Sequence, residues 1–264
     1  MVVANIFTGR SRRLRTRTLK PMPLPPGMRT DGNGKSVSNE VLLRLPENEY
    51  ALLRPHLEPV DLPQSQILYE PAEKIDFAYF PNNGMTSLVI MVRDGRSVEV
   101  GMVGKEGMVG TPLAAGMRSG PCRAIVQIAG GGLRIRSEVL EDTLLDAPVL
   151  RLSLNRYGLR QGLEVAQIAA CNRLHEVEQR LARWLLMCQD RVDSAFLPLT
   201  HEFLAEMLGS ARPTVTLASG TLQRAGLIEN VRGTVTILNR KELEGVACEC
   251  YGIIHNFTAA MRLG

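Results

Sequence analysis

The segment from Leu199 to Ile228, LTHEFLAEMLGSARPTVTLASGTLQRAGLI, constrains the fold more than any other part of this chain. Phe203, Leu204, Met207 and Leu208 fall at spacings that make one apolar helical face. Ala205 is small where a crossing helix must come close, and Gly209 sits where the backbone must turn. Pro213 then stands in the first turn of a second helix, where its missing N–H is not needed. Val215, Ala218 and Leu222 give that second helix an apolar face, leaving Arg212, Thr214, Thr216 and Ser219 to point elsewhere. This is helix-turn-helix spacing, and it predicts that the helix from Arg212 to about Leu222 lies in the DNA major groove. An ordinary αα-hairpin inside a larger core would share the spacing. The residues immediately C-terminal to it favour DNA. Gly226-Leu227-Ile228 is expected to close a third helix, and Asn230 to Leu238 (NVRGTVTIL) alternates around Arg232-Gly233 like a hairpin. A helix-turn-helix with a two-stranded wing directly after it is the winged-helix arrangement.

The rest of the chain is long enough for more than this one unit. Its 264 residues, 45% hydrophobic, can bury one large core or two smaller ones. No apolar run approaches the roughly twenty residues that a membrane span needs, so no membrane partner is expected. Five scattered cysteines fit a reducing cytoplasm rather than a disulfide framework. The formal charge of +4 is misleading as an average. Residues 1–30 hold seven basic residues, among them Arg10, Arg12, Arg13 and Lys20, and no acid, so the remainder sums to −3. DNA affinity must therefore come from local placement of charge.

Residues 1 to about 36 combine that arginine cluster with Pro21 to Gly27 and Thr30-Asp31-Gly32-Asn33-Gly34, a composition expected to be disordered. Ser11-Arg12-Arg13 lacks the apolar segment of a twin-arginine export signal. The stretch reads as a non-functional extension before a start at Met22 or Met28, with an arm on DNA phosphates as the alternative. From Val41 to Leu57 a short helical segment leads in. Residues 59 to about 136 are short alternating or β-branched runs: Pro59 to Leu62, Gln66 to Tyr69, Phe77 to Phe80, Ser87 to Val92, Ser97 to Val103, Arg123 to Ile128 and Gly132 to Ile135. Turn signals at Pro71, Pro81 to Gly84, Asp94-Gly95 and Gly104 separate them, which predicts a β-sandwich or a β jelly-roll barrel. Within it, Gly104 to Gly110 is a glycine-rich bend that could turn backbone N–H groups toward an anion.

From about Ser153 to Arg191 the pattern turns helical. Leu159, Leu163, Ala166 and Ala170 alternate by three and four and continue to Leu174, Val177, Leu181 and Leu185, a coiled-coil kind of seam that predicts a dimer helix. Burial against the chain's own barrel would explain the same pattern. The helix is expected to break near Leu174-His175-Glu176, and Trp184 reads as a core residue. The run from Arg240 to Met261 looks helical behind Asn239 as N-cap. Cys248 and Cys250, two apart on such a helix, should diverge and neither chelate nor pair, while Cys171 and Cys188 read as core. The four histidines, His56, His175, His201 and His255, are far apart, so no metal site is expected. With no nucleophile–base pair either, the chain is expected not to be an enzyme and to carry no cofactor.

The order of barrel, glycine-rich bend, long helix and winged helix, with Leu199 to Ala205 and Arg212 to Thr216, resembles the Crp/Fnr family of bacterial transcription regulators over residues from about 40 to 245. The resemblance implies an α+β chain with a cyclic-nucleotide-binding-like sensor barrel (37–150), a dimerisation helix (151–175) and a winged helix-turn-helix domain (176–250), flanked by a basic tail (1–36) and a C-terminal tail (251–264). It implies a homodimer in the cytoplasm that binds double-stranded DNA, with RNA polymerase a candidate partner and an effector of unknown chemistry. Arg212 matches the family's first base-reading arginine, and an arginine pairs bidentately with guanine. Pro213 stands at the family's acidic position and Leu217 at its later arginine, so base specificity should differ. Thr214, Thr216 and Ser219 are candidate base or phosphate contacts, and Arg232 a phosphate contact in the wing. Relatives that bind cyclic AMP hold its ribose with a glutamate in Gly-Glu-Leu-Gly and its phosphate with an Arg-Ser pair. Here the effector-pocket positions read Gly107-Met108-Val109-Gly110 and Arg123-Ala124, which predicts that cyclic AMP is not the effector. The competing reading is a ligand-binding signalling module, cyclic-nucleotide-responsive or otherwise, whose helix-turn-helix mediates protein association.

Overall fold

A computed structural model describes residues 29–262. The expectations for the arginine cluster and for Met22 or Met28 lie outside the described residues. From Arg29 the expectation of a disordered tail reaching about residue 36 is corrected. Strand β1 (Arg29–Thr30) pairs antiparallel with β2 (Ser36–Val37). Between them the Asp31 carboxylate accepts from the amides of Asn33 and Lys35 at 2.8 and 2.9 Å. The Arg29 guanidinium lies 4.5 Å from the centre of the Tyr50 ring. A side-chain-closed turn and a cation–π contact supply the order that composition alone does not predict.

Two short helices come next, α1 (Glu40–Leu43) and α2 (Glu47–Leu53), the first capped by Asn39. The expected strands are present: β3 (Glu58–Leu62), β4 (Ile67–Tyr69), β5 (Phe77–Pro81), β6 (Met85–Met91), β7 (Ser97–Val103), β8 (Arg123–Ile128) and β9 (Gly130–Arg136). They form two antiparallel sheets, β3-β9-β5 and β4-β8-β6-β7, around one core that includes Leu62, Phe80, Val103, Val126 and Leu133. Among the described residues no strand pairing joins the sheets, so of the two expected forms the structure is the sandwich and not a closed barrel. The chain between β7 and β8 is spent on the bend and a short 3₁₀ turn (Thr111–Ala115) and offers no strand to close it.

Helix α3 (Ser137–Asp146), not anticipated from the sequence, leads into α4 (Pro148–Leu174). One face of α4, Leu150, Leu154, Tyr157, Arg160, Glu164, Ile168 and Cys171, is buried at steps of three and four. The opposite face leaves Leu152, Leu159 and Leu163 at 51, 62 and 44% exposure. The helix ends where the sequence predicts. His175 is extended, and Glu176 opens α5 (Val177–Val192) through a capping box with Gln179. Leu181 and Leu185 are therefore not a continuation of the seam: both are fully buried in the core of the next unit.

That unit comprises α5, β10 (Phe196–Leu197), α6 (His201–Met207), α7 (Arg212–Arg224), β11 (Ile228–Val231), β12 (Thr234–Ile237), α8 (Arg240–Val246) and α9 (Cys250–Arg262). No separate third helix is closed by Gly226; its left-handed φ of 72° ends α7 itself and turns the chain into the wing. The run from Arg240 onward is two helices, because Ala247 is extended at ψ 147°. Residues beyond 250, expected as a tail, form α9, which packs against α4. The core of this unit, with Trp184 1% exposed, continues into the outer face of the four-stranded sheet through Met85, Val89, Met102 and Ile128. That sheet is buried on both faces, by its own sandwich on one side and by the helix-turn-helix unit on the other.

Candidate DNA interface and sensor site

Helix α6 begins at Thr200, whose hydroxyl accepts from the amide of Phe203 at 3.2 Å. Gly209, at φ 56°, turns the chain, and α7 starts with Pro213 in its first turn. Val215, Ala218 and Leu222 hold α7 onto the core, as their spacing predicts. The outward face carries Arg212, Pro213, Thr216, Leu217, Gly220 and Arg224, which together line one shallow concavity. Thr214 is exposed beside it. Arg212 is 65% exposed and lies 3.3 Å from the equally open Glu202 carboxylate. An ion pair that wet contributes little and exchanges readily for another anion. Thr216 Oγ1 and His201 Nδ1 are 3.2 Å apart.

Ser219 is a correction. It is fully buried, and its hydroxyl accepts from the Asn230 amide at 2.9 Å. Four residues after the buried Val215, it faces the wing rather than the outside. Arg224, not anticipated from the sequence, completes an outward row with the exposed Arg212 and Thr216 and the half-buried Gly220 at steps of four, a spacing that could have found it. The wing turn places Arg232 and Gly233 both at positive φ, 46° and 82°, as a tight hairpin requires, with Arg232 exposed at its tip. Its sheet has a third strand, β10 pairing β12.

The glycine-rich bend is arranged oppositely. Met108, Val109 and Ala124 are fully buried. Val109 and Tyr79 exchange backbone hydrogen bonds at 2.8 and 2.9 Å, and the Gly107 amide donates to Gly104. These N–H groups are not turned toward an anion. Gly107 is required because a Cβ there would sit 1.9 Å from the Tyr157 ring, while Gly110 takes φ 97°. Arg123 makes two hydrogen bonds of 2.8 Å to the Glu70 carboxylate, which matches its fork. The bend brings Gly107 to Gly110 into the core and leaves Arg123 facing an acid 53 residues away in sequence.

Two buried polar groups tie the sandwich to the DNA-binding unit. Glu106, from the bend, meets Arg191 of α5 at 3.2 Å and Arg160 of α4 at 3.8 Å, and Arg191 also meets Glu164 of α4 at 3.0 Å. Burial opposes ionisation of Glu106, but the charges of Arg191 and Arg160 outweigh it and hold the carboxyl below its usual range. Glu99 of β7 accepts from Trp184 Nε1 at 2.7 Å and contacts Ser87. Burial pushes its carboxyl up to about 7, against those hydrogen bonds and the charges of Arg191 and Arg183.

The expectation that Cys248 and Cys250 diverge on one helix is also corrected. Extended Ala247 separates α8 from α9, Cys248 lies in the connection, and ligand atoms of Cys171, His175, Cys248 and Cys250 all fall within 4.8 Å of one another. His56, His201 and His255 are not part of that group.

Comparison with known proteins accords with this geometry. Residues 179–246 match the model of the Crp-like helix-turn-helix domain. The chain is 27% identical over 203 residues to the global nitrogen regulator of Synechocystis, covering 71% of this chain and 87% of that protein. Its fold is similar to a Crp/Fnr-family transcriptional regulator from Eubacterium rectale, with a TM-score of 0.63 at 20% identity, covering 78% of this chain and 97% of the other. It is similar too to the c-di-GMP-responsive global regulator CLP of Xanthomonas campestris, with a TM-score of 0.61 at 18% identity over 73% and 99% of the chains. Among the described residues no helix is long and apolar enough to cross a membrane. A two-sheet β sandwich, a long connecting helix and a Crp-like helix-turn-helix thus stand in one chain, which is similar in fold to transcription regulators of the Crp/Fnr family.

Proposed function

We propose that this chain is a transcription regulator of the Crp/Fnr type, a homodimer that reads a two-fold symmetric duplex site through α7, and that its sensor does not take cyclic AMP. The observation that carries the DNA reading is the exposed row on α7. Arg212, Thr216 and Arg224 are polar and open to solvent, on a helix whose opposite face is fully committed to the core. Arg212, Pro213, Thr214 and Thr216 are assigned to the groove, and Arg232 to a phosphate beside it. A dimer is supported by the apolar face of α4, where Leu159, Leu163, Ala166 and Ala170 meet nothing that buries them among the described residues. Ile253 and Phe257 of α9 extend that face on one side. A two-fold axis along α4 would cover both and set two α7 helices on one side of the assembly. The proposed units are the sensor at 37–150, the dimer helix at 151–175 and the DNA-binding domain from 176 on, including α9.

Rejection of cyclic AMP rests on two residues. Met108 stands where a ribose acceptor is needed and is fully buried, and Arg123 already holds Glu70. A lost charged hydrogen bond costs roughly 1.5–3 kcal/mol. That a regulator of this fold, CLP, responds to c-di-GMP is compatible with a different ligand.

The test is a duplex selected from random sequence and titrated at fixed salt, with and without cyclic AMP. Binding unchanged by the nucleotide is expected. Arg212→Ala should lose about 1–3 kcal/mol at a single base pair; an equal loss on every sequence would make Arg212 a phosphate contact. Binding that appears only with cyclic AMP would overturn the sensor assignment, and a monomer binding DNA undiminished would overturn the dimer.

A further inference from the structure

The end of α4 and the connection between α8 and α9 meet at a cluster that DNA reading does not use. Cys171 lies in the last turn of α4 and His175 at its C-cap, whose amide donates to the Cys171 carbonyl. Four residues apart, the two project from the same side of the helix end. Cys248 and Cys250 come from the far end of the DNA-binding unit, and the extended Ala247 lets both thiols turn the same way. The Cys171 and Cys248 sulfurs are 3.4 Å apart, and Cys250 Sγ is 3.6 Å from His175 Nδ1. A tetrahedral zinc with bonds of about 2.3 Å to sulfur and about 2.0 Å to nitrogen has ligand–ligand edges of about 3.5–3.8 Å.

The surroundings match such an ion independently of the four ligands. His175 turns Nε2 to the Glu249 carboxylate at 3.1 Å, which leaves Nδ1 facing the thiols. A carboxylate behind the imidazole is the usual means of fixing a metal-binding histidine. Gln167 donates to Cys250 Sγ at 3.1 Å. Arg180 and Arg183 are buried, at 7 and 2% exposure, and the Nε of each lacks a hydrogen-bond partner. The charge of each acts on Cys171 and Cys248. Three thiolates, a neutral imidazole and a divalent cation carry a net negative charge, which buried guanidinium groups would balance.

We infer that Cys171, His175, Cys248 and Cys250 bind one zinc-class divalent ion in a tetrahedral site, clamping the end of α4 to the C-terminal part of the DNA-binding unit. An iron–sulfur cluster distributes its thiolates over separate irons and needs a wider cage than this one. A disulfide between Cys171 and Cys248 would use two of the four groups and leave His175, Glu249 and both arginines without a purpose. The ion bridges the hinge at His175-Glu176: two ligands precede α5 and two come after α8. Its binding energy is therefore conformational energy of that hinge.

Full-length protein produced with zinc supplied and purified under reductant should hold one zinc per chain by elemental analysis. Exchange for cobalt should give the intense visible bands of a tetrahedral thiolate complex. Cys248→Ser should abolish both signals and Cys122→Ser neither. If Cys248→Ser does not fold, Glu249→Gln serves instead. That carboxylate is 69% exposed and no ligand, yet its loss should weaken zinc binding by about 10-fold or more. The inference is overturned by reduced protein that takes up neither metal, by an octahedral cobalt spectrum, by several irons with sulfide in each chain, or by a Cys171–Cys248 disulfide in the freshly isolated protein.

Discussion

The glycine-rich bend and α7 are both places where the residues announce binding, and they end up in opposite states. At the bend, Met108 and Val109 fill the core, the Val109 amide bonds Tyr79, and Arg123 bonds Glu70. On α7, Arg212, Thr216 and Arg224 face outward with only wet, exchangeable partners. Both sit on scaffolds of the expected kind. What separates them is whether a polar group has already found a partner inside the chain. A scaffold can keep the backbone of a bend while its side chains turn to structural work, as Met108, Val109 and Arg123 do here.

The comparison breaks hardest at Arg191. If the bend is structural, the guanidinium that holds Glu106 and Glu164 should matter for folding. Arg191→Met leaves Glu164 buried without its cation and Glu106 with Arg160 alone at 3.8 Å, and removal of one partner from a buried ionic network costs about 3–5 kcal/mol. Denaturant unfolding measures this. A loss under about 1 kcal/mol would mean that the bend is free to open and that its burial says little about ligands.

Glu99 probes the contact between the two regions. Its carboxyl is near the ordinary 4.5 in the unfolded chain and is pushed up to about 7 by burial against Trp184. A raised folded value means that the protonated form is the one accommodated. The contribution is then fully present below pH 4.5, is lost as pH rises through 7, and is flat above. The span corresponds to roughly 3 kcal/mol. Glu99→Gln keeps an acceptor for Trp184 and a donor for Ser87, so it should be the more stable protein at pH 8 and about equal to the parent near pH 4. Parallel stability curves for the two proteins would show that Glu99 does not titrate at this contact.

Most of the framework was legible from local pattern. Apolar spacing placed α7, the break at His175 and the strands from Glu58 to Arg136, because burial of one face is written in steps of two or of three and four. What was not legible depended on distant partners. Nothing near Arg123 announces Glu70, and nothing near Cys171 announces Cys248, 77 residues on. The reading of Cys248 and Cys250 failed for a smaller reason: one extended residue, Ala247, breaks a helix that composition would continue. Sandwich and closed barrel could not be told apart, because strand pattern marks strands without saying which edges meet. Ser219 failed through phase, since a helix face is broader than its aliphatic residues, and a serine at i+4 from a core valine shares its burial.

That phase error supplies the finest test of the comparison, within a single helix. Thr216 and Ser219 are both small hydroxyl residues of α7, three apart, one exposed and one fully buried. Ser219→Ala removes the acceptor of the Asn230 side chain, which retains Gln223 at 3.1 Å, so destabilisation should be modest, about 1 kcal/mol. The ranking of duplex sequences should not change, because the hydroxyl is buried against the wing, away from the proposed DNA face. Thr216→Ala should do the reverse. Its hydroxyl is solvated in the free protein, so unfolding should shift by less than about 0.5 kcal/mol. Affinity for the selected duplex should fall, and tolerance at one base-pair position should rise. Paired unfolding and competition-binding measurements separate the two. Were Ser219→Ala to alter sequence preference while leaving stability untouched, α7 would have to rotate on its core when it meets DNA, and the inward and outward faces assigned to it would not be those of the complex.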